Sequence, residues 1–187
     1  TNLEYLKSPS ELAIKQALNQ SGWAIKYVKN PSESLQRLAV SKNYDALKFI
    51  KDPSEPVQLA AIQHSYEALR YIKAPTAQAE RLAILQNERA LQWINDLTKA
   101  KILEFLAINF LVIKLVMKEI SVDELQQVLQ IELAKETVSE KYVRDFLTYS
   151  TIDKQSPIMA IDRLRLLDQY GSRTAKRIAV DEKLKLL

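Results

Sequence analysis

A ten-residue line, Ala46-Leu-Lys-Phe-Ile-Lys-Asp-Pro-Ser-Glu, recurs every 22 residues and constrains this chain more than any other feature. Upstream it reads Ala24-Ile-Lys-Tyr-Val-Lys-Asn-Pro-Ser-Glu, and downstream Ala68-Leu-Arg-Tyr-Ile-Lys-Ala-Pro-Thr-Ala. A first copy begins at Asn2 (Leu3, Tyr5, Leu6, Pro9, Ser10) and a degraded fifth at Ala90 (Leu91, Trp93, Ile94), with no gap across the five. A short fixed period marks stacked supersecondary units that cannot bury their apolar faces alone. Within each copy, positions 1, 2, 4 and 5 are small, aliphatic, aromatic and aliphatic, the spacing of an apolar stripe on a short helix. Asn30-Pro31-Ser32-Glu33 and Asp52-Pro53-Ser54-Glu55 then read as helix starts, with Asn30 or Asp52 as cap, proline first in the helix, and glutamate completing a capping-box-like turn. The second helix carries alanine at one recurrent site (Ala17, Ala39, Ala61, Ala83), which lets neighbouring helices approach closely. Polar turns such as Lys42-Asn43-Tyr44 and His64-Ser65-Tyr66 separate the helices.

The expectation is therefore an all-α fold: an α-solenoid of stacked helical hairpins over residues 1–111, followed by a helical C-terminal region over 112–187. Only two glycines occur, which disfavours a β-rich fold with many tight turns. Residues Ile102 to Val116 are apolar on several faces and predict a buried junction helix. Ser121 and Glu124 form a capping box, and a sixth, aberrant repeat from Val112 is foreseen. A helix follows Ser139, Thr151 to Gln155 is a polar linker, and Ser156-Pro157 predicts a helix running to Tyr170-Gly171. Ser172 to Leu187 reads as a last basic-rich helix or frayed tail.

The repeats resemble the short tandem helical repeats, written around Asn-Pro-Ser-Glu, of phage and bacterial proteins of largely unknown function. Asn30-Pro31-Ser32-Glu33 and Asp52-Pro53-Ser54-Glu55, each followed by an apolar-Ala-apolar segment, carry the resemblance. The fourth copy departs from it (Ala74-Pro75-Thr76-Ala77), and the fifth has Leu97 in place of proline. The resemblance implies a fold rather than an activity. Residues Ile161 to Gly171 also look like a helix of the small terminase subunits that package phage DNA, although an oligomerisation or capping helix accounts for the same residues.

Chemistry is sparse. One histidine, no cysteine and no glycine-rich loop leave no zinc site, no Ser-His-Asp or Cys-His machinery and no phosphate cradle. No enzyme, cofactor or metal is expected. The longest apolar run is shorter than the ~20 residues of a membrane span. No secretory leader is visible at Thr1-Asn2-Leu3-Glu4, so a cytoplasmic setting, or a host cytoplasm if phage-encoded, is expected.

Two function classes remain. In the first, a non-enzymatic interaction or scaffold module holds another protein, or a second copy, through Tyr44, Tyr66 and His64 at turn positions taken as exposed. In the second, nucleic acid follows a cationic ladder formed by Lys26, Lys48 and Arg70 at position 3 and Lys7, Lys29, Lys51 and Lys73 at position 6. The C-terminal Arg173, Lys176 and Arg177, placed after a helix–Gly–helix arrangement, would add phosphate contacts in a helix-turn-helix. The net charge of +4 permits nucleic acid without requiring it. The aromatic column Tyr5, Tyr27, Phe49, Tyr71 and Trp93 is expected in the core rather than as a base-stacking platform.

Overall fold

The computed structural model describes residues 9–184 and divides the chain into two compact units, 1–95 and 96–187. The division falls ahead of the 111/112 boundary read from the sequence, because the α-helix expected to close the fifth hairpin packs within the second unit. The chain is all-α apart from one short β pair among the described residues.

The first unit alternates α-helices with six-residue 3-10 helices. Its α-helices are α1 (Glu11–Gln20), α2 (Glu33–Lys42), α3 (Glu55–His64) and α4 (Ala77–Gln86). The 3-10 segments are Gly22–Tyr27, Tyr44–Phe49, Tyr66–Tyr71 and Glu88–Trp93. Consecutive α-helices pack on one another, and so do consecutive 3-10 segments. The alanine site lies at that packing: Ala39, Ala61 and Ala83 are wholly buried, each beside the equally buried Val40, Ile62 or Ile84. Burying one such aliphatic side chain contributes about 1.5–3 kcal/mol, and the stacking of consecutive hairpins supplies part of that burial.

Local geometry differs from the expected helix starts in an instructive way. The residue that caps each α-helix is Ser10, Ser32, Ser54 or Thr76 in extended backbone, and Ser32 and Ser54 lie two residues beyond the Asn30 and Asp52 expected in that role. Thr76, for example, accepts a hydrogen bond from the Ala79 N–H. Asn30 and Asp52 instead take positive φ, 46° and 48°, and so do Asp96 at 52°. Asn and Asp tolerate that left-handed region better than other non-glycine residues, so they make the corner rather than the cap. Glu33 and Glu55 are first residues of their helices and need no capping box.

The second unit begins with α5 (Lys99–Ile108), capped by Thr98 on the same plan. The predicted single junction helix breaks at Asn109, whose side chain accepts from the Leu111 N–H and starts a 3-10 turn, Phe110–Val112, that runs into α6 (Ile113–Val116). The capping box at Ser121 and Glu124 opens α7 (Val122–Leu133), one residue out of phase with the period. Next come α8 (Glu140–Thr148), α9 (Arg163–Tyr170) and α10 (Arg173–Leu184). The helix predicted to begin at Ser156-Pro157 starts only at Arg163, capped by Asp162. The intervening chain forms parallel strands β1 (Ile152–Asp153) and β2 (Met159–Ala160), with Ile152 opposite Met159. Both side chains are buried, and Arg163 at the start of α9 donates to the carbonyls of Leu147 and Tyr149 at the end of α8 and pairs with Asp153 of β1 at 3.5 Å.

Gly171 ends α9 as expected, but its φ of −65° shows that left-handed freedom is not why glycine is there. A Cβ at this site would lie 2.4 Å from the Leu167 carbonyl oxygen, so close approach requires it.

Candidate cationic and aromatic edge

In a 3-10 helix residues three apart eclipse one another, so position 1 alanine and position 4 aromatic share a line. Ala46, Ala68 and Ala90 are buried on that line, and the larger ring at position 4 reaches past the alanine toward the surface. Tyr27 and Phe49 are accordingly exposed, at 38% and 41%, and Tyr71 and Trp93 are half-buried. The expectation that this column belongs to the core is overturned. Positions 2 and 5 supply the core instead, as in Leu47 with Ile50 and Leu69 with Ile72. Tyr5 and Lys7 lie outside the described residues.

The ladder cations meet three of these rings. Lys26 Nζ lies 4.6 Å from the Tyr27 ring centroid, Lys48 Nζ 5.1 Å from that of Phe49, and the Arg70 guanidinium 4.8 Å from that of Tyr71. These are cation–π distances, repeated in three successive copies. Lys48 also lies 5.4 Å from the Trp23 ring, joining one hairpin's aromatic to the next. Trp23 is 47% exposed and donates its indole N–H to Asp45 Oδ1 at 2.6 Å. Burial works to raise the Asp45 carboxyl, but the Trp23 hydrogen bond and Lys48, 3.1 Å away, outweigh it and keep the group below its ordinary range. Trp23 was missed in reading the sequence. Its signal was a tryptophan at a repeat site that is polar in the other copies, Asp45, Glu67 and Arg89.

Between the Tyr44–Phe49 and Tyr66–Tyr71 segments a cleft of about 460 Å³ brings together Lys48, Phe49, Lys51, Tyr71 and Lys73, with Asp52 as its one carboxylate. Lys29, Lys51 and Lys73 are exposed and enter no ion pair among the described residues.

Tyr44 and Tyr66 are placed differently from expectation: both are half-buried. The Tyr44 hydroxyl donates to Glu67 Oε2 at 2.8 Å, and that carboxylate pushes the phenol above its usual range. Its ring lies 5.8 Å from His64, which is exposed, and the Tyr66 ring lies 5.8 Å from Trp93. These side chains tie one hairpin to the next.

Arg173, Lys176 and Arg177 are exposed on α10. At the start of that helix, however, the Glu136 carboxylate accepts from the Arg173 and Thr174 N–H groups and from the Thr174 hydroxyl. An internal anion thus occupies the helix N-terminus where a helix-turn-helix would present donors to a phosphate. These hydrogen bonds, Thr174's first, lower the Glu136 pKa. A lowered folded pKa gives stability that is present above the ordinary glutamate value of about 4.3 and is lost as pH falls through the folded value. In an acid titration followed by circular dichroism, wild type should lose stability below that value, and Glu136→Gln should flatten this part of the profile.

Among the described residues no three His, Asp or Glu side chains converge to hold a metal ion, and no helix is long and apolar enough to cross a membrane. Comparison with protein-family models, curated proteins and solved structures finds no match for this chain.

Proposed function

We propose that the repeat unit is a non-enzymatic binding module, with its hairpins stacked as an α-solenoid, and that it holds nucleic acid along its cationic and aromatic edge. The observation that carries this reading is the pairing of Lys26 with Tyr27, Lys48 with Phe49 and Arg70 with Tyr71 on three successive 3-10 segments. Cations that repeat at a fixed interval follow a charged backbone, and exposed rings between them give bases a surface for stacking, at about 1–3 kcal/mol per base. A net charge of +4 permits such a partner. Tyr44 and Tyr66, the anchors of the protein-partner reading, are engaged between hairpins, which favours nucleic acid over a protein held at those turns.

The test is binding of labelled single-stranded DNA and RNA across a salt series. Affinity should fall with salt by a slope of about 0.7 per phosphate contacted. Reversing Lys29, Lys51 and Lys73 to glutamate together should lower that slope by about 2 and weaken binding at low salt. These side chains are exposed, so the variant should keep its fold. An unchanged affinity would remove the ladder from the mechanism.

A further inference from the structure

We infer that the cleft between the Tyr44–Phe49 and Tyr66–Tyr71 segments is a pocket for one unpaired nucleobase with its adjoining phosphate. This rests on the nucleic-acid reading above and narrows it to single strands. The cleft's volume of about 460 Å³ falls within the roughly 300–1,000 Å³ typical of small-ligand sites. Phe49 and Tyr71 occupy the same repeat position one period apart, and both line the cleft. In a duplex the faces of the bases are already stacked. An unpaired base has a face free for an aromatic ring, whatever its sequence.

The polar groups fit the rest of a nucleotide. Lys51 and Lys73 lie two residues beyond the two rings and line the same cleft, cationic partners for a phosphate on either side of the base. The Asp52 carboxylate is an acceptor for the N–H donors that base edges carry.

The pocket is also fixed before anything enters it. Gln58, 4% exposed, lines the cleft and fastens the loops of two successive hairpins. Its amide donates to the Pro53 carbonyl at 2.9 Å and to the Ala74 carbonyl at 3.4 Å, while its own carbonyl accepts from the Thr76 N–H at 3.0 Å. A cleft held in this way loses little conformational freedom on binding.

Fluorescence anisotropy with the full chain separates this inference from the one beneath it. The probes are a short labelled oligothymidylate, an abasic strand of equal length that retains every phosphate, and the corresponding duplex. The abasic strand and the duplex should each bind at least about fivefold more weakly than oligothymidylate at one salt concentration. Phe49→Leu, which keeps apolar bulk without a π face, should bring oligothymidylate close to the abasic strand, and Phe49→Tyr should preserve the difference. Position 49 is exposed, and circular dichroism verifies that both variants are folded. Equal affinity for the base-containing and abasic strands, or tighter binding of the duplex, overturns the pocket while leaving the ladder standing. A Phe49→Leu variant that still discriminates fully also overturns it. No binding of any probe at low salt overturns both readings.

Discussion

Phe110→Ala is expected to destabilise the protein by about 3–5 kcal/mol, the usual cost of deleting a fully buried aromatic ring. Phe110 is 1% exposed, and three rings from α8 and its end meet it edge-on: Tyr142 at 6.0 Å, Phe146 at 5.5 Å and Tyr149 at 6.2 Å between centroids. Edge-to-face pairs contribute beyond the area they bury, and one substitution removes all three. The surroundings are poorly suited to closing the gap, since Phe105, Val112 and Phe146 are themselves buried on packed elements. Urea denaturation is the measurement: the midpoint should fall with the slope unchanged. Phe110→Leu should recover part of the loss. A cost below about 1 kcal/mol would mean that the site collapses in a way the packing does not suggest.

The second large effect is expected at a glycine. A Cβ at Gly22 would stand 2.1 Å from the Ala39 carbonyl oxygen, 3.0 Å from its carbon and 3.1 Å from the Asn43 nitrogen. All three are backbone atoms at the end of α2, so no side-chain rotation relieves the overlap. Moving Gly22 away would stretch the bond in which its N–H donates to Asn43 Oδ1 at 2.8 Å. Overpacking and one weakened hydrogen bond together make about 2–4 kcal/mol for Gly22→Val. Thermal unfolding by circular dichroism should show this as a lowered midpoint. Gly22→Ala should already share most of the loss, because the first carbon makes the collision. An alanine variant as stable as wild type would show that the first 3-10 segment can shift as a unit.

Much of the architecture was legible because the period is gapless: the five copies set the order of elements, the alanine packing site and the buried aliphatic positions. What escaped was the type of the shorter helix. Six residues do not distinguish a 3-10 from an α-helix by periodicity, and spacing alone does not show that Tyr27 and Phe49 are exposed, which turns an expected core column into the candidate site. The caps were misplaced for a related reason. Asn30 and Ser32 are both good capping residues, and only the backbone shows that the first makes a corner and the second a cap. The region from Ser156 to Asp162 misled because a Ser-Pro pair is a fair helix start, whereas burial of Ile152 against Met159 favours a short β pair. Of the candidate residues, the ladder positions were readable from spacing. The involvement of Tyr44 with Glu67 was not, since the partners lie 23 residues apart, one more than the period.

The cationic column stops where the hairpins do not: Gln92 and Asn95 stand at the ladder positions of the fifth copy, although its 3-10 segment forms as in the others. Charge and fold are thus separable within one repeat. A chain built this way can be lengthened or shortened by whole copies, and each added copy can be written charged or neutral at position 6, where Lys29, Lys51 and Lys73 are exposed, without touching what holds it to its neighbours. The length of the cationic edge is then counted in copies, much as a ruler is marked in divisions.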